Sequence, residues 1–189
     1  MDLFDALQGR RSCRDFLKDP VDQDTIEKLL AAAVTAPSPL NTQPWQFIVI
    51  TDKAKKEEIH AEAERCRDWA AEKSGWKWLN KYEAGFLKEA PVVIAVVGDP
   101  KKTGVDMYQE EGSAGYQLAC AAAIQNLLLA AHAVGLGSLW FTFYDKDALR
   151  KILDIPDNKT PVSLICLGKT ASDPAATPRK DAREKTRYI

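Results

Sequence analysis

The hydrophobic positions of this chain recur in two periods, which predict helices and strands in alternation. Apolar residues at helical spacing predict four amphipathic helices, at residues 3–9, from 22–24 up to Pro37, 53–71 and 145–153. In the second helix Asp24-x-x-Glu27 has the spacing of a capping box, and Asp145 is expected to cap the fourth. Apolar runs predict four strands, at residues 46–51, 91–98, 137–143 and 161–168. Four strands separated by helices predict an α+β or α/β sheet with helical cover.

Residues 112–134 are apolar almost all round and predict a long central helix. One small domain rarely surrounds such a helix, so this helix could pack against a partner subunit. Gln125, Asn126 and His132 interrupt the apolar stretch, which favours a buried helix over a membrane span. Because no repeat or linker divides the chain, we expect a single domain over residues 1–189.

Charge and cysteine usage narrow the function classes. The chain has 26 Lys and Arg against 27 Asp and Glu, and this balance argues against nucleic acid as a partner. The four cysteines are far apart without a CxxC, which predicts reduced thiols of a cytoplasmic protein instead of a disulfide framework or zinc site. Two histidines are too few for a His-rich metal cluster, and no targeting segment or membrane anchor is visible.

Two basic clusters are candidate anion sites. Arg10, Arg11, Ser12 and Arg14 place three guanidinium groups and a hydroxyl within five residues, and guanidinium donors match phosphate oxygens. From Thr177 to the end of the chain, five basic residues outnumber two acidic ones. The alternatives are a solvated basic turn for the first cluster and a disordered tail for the second.

The loop at residues 36–45 is stiffened by three prolines and carries Ser38, Asn41 and Gln43, which suit a planar polar ligand. A rigid structural loop is the alternative. The chain has no Walker A loop, no GxGxxG fingerprint and no GxSxG elbow. His132 is expected to be a core histidine, Glu110-Glu111 a solvated helix face, and Cys13 a weak candidate for a reactive thiol. An anion site with little acid–base machinery favours a cofactor that carries the chemistry.

Together these motifs resemble the FMN-dependent nitroreductase family. The resemblance rests on Arg10-Arg11-Ser12-x-Arg14, on APSPLNTQPWQFIVITD at residues 36–52, on AAIQNLLLAAHAVGLGSLW at 122–140, and on Arg179-Lys180. It implies an α+β nitroreductase-like fold with a central mixed or antiparallel sheet covered by helices. It also implies a domain-swapped type of homodimer, in which the long helices pair across the interface and FMN lies between subunits.

The resemblance implies a set of site residues at the matching positions. One subunit would hold the phosphate, ribityl chain and pyrimidine edge of FMN with Arg10, Arg11, Ser12, Arg14 and Arg179. The other subunit would face the ring with Pro37, Ser38, Pro39 and Asn41. The ring would lie over Trp140, Phe141, Thr142 and Phe143. Thr142 and Phe143 would be nearest to N5 and are the candidate catalytic positions.

The implied activity is a ping-pong reaction in which NADH or NADPH reduces FMN and a small acceptor, such as a nitroaromatic or a quinone, then reoxidises it. Many members have a Gly-rich segment where this chain has bulky residues at 141–144. That departure leaves a non-catalytic flavin carrier or sensor as an alternative. A dehalogenase, an ene-reductase or a flavin-fragmenting enzyme of the same family is a further alternative.

The Trp-rich segment at residues 69–86 lies where relatives vary and form a substrate lid. It supplies four candidate acceptor contacts, Trp76, Trp78, Tyr82 and Phe86. An aromatic packing cluster on a dimer arm is the alternative.

Overall fold

A four-stranded antiparallel sheet forms the centre of the computed structural model, which describes residues 1–108 and 114–189. The strands are β1 (Trp45–Ile50), β2 (Val92–Gly98), β3 (Gly137–Phe141) and β4 (Thr160–Gly168). Their order in the sheet is β1-β2-β4-β3, and all three pairings are antiparallel. The antiparallel pairings confirm the α+β class and exclude a parallel α/β sheet.

Each strand lies within two residues of its predicted bounds, because long apolar runs specify strands that are covered on both faces. All seven residues of β2 are buried, as expected for an inner strand. The predicted strand at residues 137–143 ends two residues early, at Phe141, and the chain then turns towards the next helix. β1 and β3 form the two outer edges of the sheet.

In the described part of the chain, six α-helices cover the sheet: α1 (Leu3–Gly9), α2 (Gln23–Val34), α3 (Lys53–Ser74), α4 (Phe86–Glu89), α5 (Gly115–Ala133) and α6 (Lys146–Ile152). The capping-box prediction at Asp24 is wrong. Asp22 caps α2 instead, since its carboxylate accepts from Thr25 N at 2.7 Å and from the Thr25 hydroxyl at 2.8 Å. The cap predicted at Asp145 is confirmed, with Oδ1 accepting from Ala148 N at 2.8 Å.

The helices form one layer on each face of the sheet. One hydrophobic cluster joins α2 and α5 to one face, and a second joins α3, α4 and α6 to the other. α5 is the predicted long helix, although its predicted first residues, 112 and 113, lie outside the described residues, as does Glu110-Glu111.

One side of α5 is not covered by the residues that the structure describes. Leu118 is 68% exposed, and Ala122 and Leu129 are only partly buried. Leu3 and Phe4 of α1 are 62% and 71% exposed. Within the described ranges, no helix combines the length and the hydropathy that crossing a membrane requires.

Candidate functional site

The arginine segment lies along the outer edge of β3. Cys13 N donates to Ser138 O at 3.0 Å, and Ser12 forms a parallel bridge with Ser138. Because successive side chains of an extended segment point to opposite sides, Ser12 and Arg14 lie on one side while Cys13 lies on the other. Ser12 and Arg14 are exposed and Cys13 is buried. The parallel direction carries the chain from Arg10, near the start of β3, towards the end of that strand.

A cavity of about 430 Å³ opens where β3 begins. Its walls include the start of the arginine segment, the end of α5 and the first part of the tail, with Arg10, Arg11, Cys13, His132, Ser138, Asp173 and Ala176. The Ser138 hydroxyl is buried, and among the described residues it has no hydrogen-bond partner. A buried hydroxyl without a partner destabilises the chain unless a ligand or water satisfies it. The Arg10 guanidinium and the Ser138 hydroxyl are donors of the kind that bind phosphate. Arg11 Nη1 donates to Gln8 O and Arg10 O, and the Asp173 carboxylate also lines the cavity.

Two sequence interpretations change at this cavity. His132 is half-buried and lines the cavity against Gly9, so it is not enclosed in the core as expected. Burial raises the pKa of the Cys13 thiol, and the charges of Arg10 and Arg14 oppose this only in part. A raised pKa disfavours the thiolate, which argues against the reactive-thiol interpretation.

The opposite end of β3 leads to a series of aromatic rings. Phe143 follows the exposed Thr142, and its ring centroid lies 6.3 Å from that of Tyr82. The Trp78 ring meets Tyr82 edge-on at 5.9 Å and stacks with Trp76 at 6.2 Å. Three of the candidate acceptor contacts therefore form a chain of adjacent rings, which reaches Phe143 through Tyr82.

Arg14 joins this aromatic series to the arginine segment. Burial raises the pKa of the Tyr82 phenol, and the positive charge of Arg14 opposes this increase only in part, which places the guanidinium near the Tyr82 hydroxyl. Because burial has the stronger effect on the pKa, Tyr82 remains a neutral phenol at neutral pH.

Phe86 and Phe141 do not belong to this exposed series. They are 3% and 4% exposed, and their rings meet edge-on at 5.5 Å in the core. The side chain of Phe86 consequently fills the core and offers almost no surface to an acceptor. Phe141 also points into the core, so only its backbone borders the site. Trp140, with the opposite orientation, is 37% exposed.

Sequence reasoning missed Glu62, whose carboxylate accepts a hydrogen bond from the backbone at the end of segment 142–145. This carboxylate is 8% exposed and accepts from Arg65 Nε at 2.8 Å, Cys66 Sγ at 3.1 Å and Asp145 N at 3.3 Å. The hydrogen bonds from Arg65 hold the pKa of Glu62 below its usual value. A single glutamate in a highly charged helix gives no sequence signal, because only the fold brings the backbone of Asp145, 83 residues away, to its carboxylate.

The proline loop lies at the other edge of the sheet. It precedes β1, and Ser38 Oγ accepts from Gln43 N at 3.0 Å, which fixes the loop. Leu40 and Asn41 have φ values of 50° and 52°, a left-handed conformation that is unusual for residues other than glycine. Three strand spacings, about 14 Å, separate β1 from β3. One chain therefore does not bring its own Pro37, Ser38, Pro39 and Asn41 to its arginine segment.

Arg179 lies a few residues beyond Ala176, the last tail residue that lines the cavity. Its side chain is exposed, and the described tail contains one 3-10 helix, Ala182–Lys185. Among the described residues, the Arg179 guanidinium forms no hydrogen bond or ion pair that would fix it at the cavity.

Comparison with known proteins identifies the family. A family model described as the nitroreductase family matches residues 7–169. The 5,6-dimethylbenzimidazole synthase of Rhodospirillum rubrum is 35% identical over 172 residues, which cover 88% of this chain and 82% of that protein. The iodotyrosine deiodinase of Haliscomenobacter hydrossis is 31% identical over 182 residues, covering 89% and 79%.

A solved structure shows the same fold. Oxidized iodotyrosine deiodinase bound to FMN and 3-iodo-L-tyrosine is 24% identical, with a TM-score of 0.82 over 95% of this chain and 96% of that one. The antiparallel sheet, the covering helices and the extent of the match agree with the resemblance in the sequence. This chain belongs to the nitroreductase family.

Proposed function

We propose that this protein is an FMN-dependent oxidoreductase that uses NADH or NADPH to reduce small acceptors such as nitroaromatics or quinones. The observation that carries the proposal is the strip along β3. A cavity lined by Arg10 and Arg11, with the partnerless Ser138 hydroxyl, lies at one end, and Thr142, Phe143 and Arg14 lie at the other. The five residues of β3 span about 16 Å, which suits an elongated ligand with a phosphate and a planar ring.

The donor set of the strip fits FMN. Arg10, Arg11 and Ser138 would hold the phosphate, and Ser12 the ribityl chain. Arg14 would face the pyrimidine edge, where a cation stabilises negative charge. Bound FMN would supply the two-electron chemistry that connects NAD(P)H to the acceptor. With a quinone the balance is NAD(P)H + H⁺ + quinone → NAD(P)⁺ + hydroquinone.

The contacts expected between the proline loop and the flavin ring require a second copy of the chain, so the proposal includes a homodimer. The proline loop and the arginine segment occupy opposite edges of one sheet, so a partner would have to supply the loop. The uncovered side of α5, with Leu118 68% exposed, offers an apolar surface for that partner. Leu3 and Phe4 of α1 extend the surface.

Residues of this chain would act mainly by positioning. Glu62 fixes residues 142–145 through Asp145 N, so the Thr142 hydroxyl and nearby backbone N–H groups keep a constant orientation. Tyr82, whose pKa is raised by burial, lies near the Arg14 guanidinium, whose charge partly opposes that increase. The Tyr82 and Phe143 rings exclude water from one side of the strip. Because the Phe141 ring lies in the core, it does not fill the site, which favours turnover over a passive flavin carrier.

Absorbance spectroscopy tests the proposal. The purified protein should show the visible bands of bound flavin, which anaerobic NADH or NADPH should bleach and an added quinone should restore. Arg14→Ala should weaken FMN binding about 10- to 100-fold, since a charged hydrogen bond contributes about 1.5–3 kcal/mol. Arg179→Ala should weaken it similarly, whereas Arg187→Ala is the matched control in the same tail. A protein that takes up no FMN, or whose bound flavin neither donor bleaches, would refute the proposal.

A second candidate follows from the similarity to 5,6-dimethylbenzimidazole synthase, which at 35% identity exceeds that of the deiodinase. In this case the acceptor would be oxygen and the flavin itself would be consumed. Aerobic incubation of the reduced protein followed by chromatography separates the candidates, since only flavin fragmentation yields a benzimidazole. Addition of 3-iodotyrosine with release of iodide would instead indicate a dehalogenase.

A further inference from the structure

The aromatic segment beside the candidate site carries a local positive charge. Between Lys73 and Tyr82 the chain has three lysines and no acidic residue, although the net charge of the whole chain is -1. Among the described residues, none of the three lysines forms an ion pair. Two preceding carboxylates on α3, Glu64 and Asp68, are paired with Arg67. Glu72 and Glu83 adjoin the two ends of the segment, and within the described ranges neither pairs with one of these lysines. The three ammonium groups therefore outnumber the adjoining carboxylates and remain unpaired with them.

The geometry of the 3-10 helix Lys77–Lys81 separates the lysines. Such a helix has three residues per turn, so side chains three positions apart share a face. Trp78 and Lys81 consequently lie on one face, whereas Lys77 lies on another. Leu79 is 2% exposed and anchors the third face in the core. Lys81 is thus the lysine that stands beside an exposed indole ring.

This face is continuous with the site. Trp78 is 55% exposed and meets Tyr82, which in turn contacts Phe143 and lies near the positive charge of Arg14. Trp76, 60% exposed, extends the same surface. The result is an aromatic surface with the cations of Lys81 and Arg14 at its border, which we name the basic aromatic face (Trp76, Trp78, Lys81 and Tyr82).

We propose that the basic aromatic face selects planar aromatic acceptors that carry a negative group, such as a carboxylate or a sulfonate. The ring would stack on the indoles, and the anionic group would pair with the Lys81 ammonium. A neutral ring of the same shape keeps the stacking and loses the electrostatic attraction. The inference rests on the proposed function, because it assigns the acceptor class of that site.

Equilibrium binding to the FMN-loaded protein, without NAD(P)H, tests the preference. Quenching of tryptophan fluorescence gives the Kd of 4-nitrobenzoate and of 4-nitrobenzamide, which share a ring and a nitro group and differ in charge. At low ionic strength the wild type should bind the benzoate several-fold more tightly, and about 300 mM KCl should remove most of that preference.

A matched pair of variants locates the preference. Lys81→Glu should reduce the benzoate-to-benzamide affinity ratio about fivefold at low ionic strength. Lys77→Glu makes the same charge change on the same helix and should alter the ratio less than about twofold. Comparing the ratio between variants cancels the intrinsic difference between the two ligands. The ratio of kcat/KM values for the two acceptors should follow the same order.

Equal effects of the two substitutions, or a wild-type ratio that salt does not change, would overturn the inference. If Lys81→Glu does not fold, the effect of KCl on the wild-type benzoate-to-benzamide affinity ratio tests the inference alone. These outcomes are distinct from failure of the proposed function. A protein that binds and reduces FMN but does not discriminate by charge refutes only the acceptor class, whereas an unbleached flavin refutes the oxidoreductase.

Discussion

Replacement of Glu62 should reveal how strongly the support behind residues 142–145 stabilises the fold. Its carboxylate accepts from Arg65, Cys66 and Asp145, of which Arg65 is 57% exposed. An ion pair with so exposed a partner contributes at most about 1 kcal/mol. Leaving the Asp145 N–H without its acceptor costs about 1–2 kcal/mol.

Glu62→Ala should therefore lower the free energy of unfolding by about 2–3 kcal/mol. Glu62→Gln should lower it by about 1 kcal/mol, since the amide oxygen can still accept from Asp145 N. Urea unfolding, followed by tryptophan fluorescence and circular dichroism at one protein concentration, measures both values. An alanine variant within about 0.5 kcal/mol of the wild type would refute the reasoning, and so would a glutamine variant as unstable as the alanine variant.

The pH dependence provides an independent check. The Arg65 hydrogen bonds depress the pKa of Glu62 in the folded protein. A depressed carboxyl pKa stabilises the fold fully above the unfolded value of about 4.3, and this contribution is lost as pH falls through the folded value. The stability difference between the wild type and Glu62→Gln should thus be constant from about pH 6 to 8 and shrink in acid. A difference that grows below about pH 4 would contradict the assignment.

Three further substitutions test the cavity and the core. Ser138→Ala should stabilise the FMN-free protein by about 1 kcal/mol in urea unfolding, because it removes a buried hydroxyl without a partner, and should weaken FMN binding; tighter FMN binding would contradict the phosphate assignment. Phe86→Ala should lower the free energy of unfolding by about 3–5 kcal/mol through loss of core packing, and a change below about 1 kcal/mol would show that Phe86 is not a core residue. Gly137→Ala should reduce thermal stability and FMN retention together, since the added methyl group would collide with the Thr170 side chain and press on the Cys13 sulfur, and an unchanged melting temperature would contradict this packing.

Much of the fold could be predicted because its strands are long apolar runs. The order of β4 and β3 in the sheet could not be predicted, because a local pattern of apolar residues does not specify which strands pair. The cap at Asp22 was missed because Asp22 and Asp24 are chemically equal in sequence. Only the contact with Thr25 distinguishes them.

The candidate site was predictable only where residues cluster along the chain. The arginines at 10–14 are such a cluster, and the structure places them beside β3. Phe86 and Trp78 have the same aromatic character in sequence, yet one is 3% and the other 55% exposed. Glu62 and Ser138 escaped prediction because each acquires its role from neighbours that the fold brings together.

The placement of the proline loop and the arginine segment at opposite edges of the sheet has a genetic consequence. In the proposed dimer, each site takes its arginines from one chain and its loop from the other. A chain with Arg14→Ala and a chain with Asn41→Ala would each form homodimers in which both sites are damaged. A mixed dimer of the two would contain one doubly damaged site and one intact site. Co-expression of the two impaired alleles should thus give mixed dimers that each have up to half the activity of a wild-type dimer.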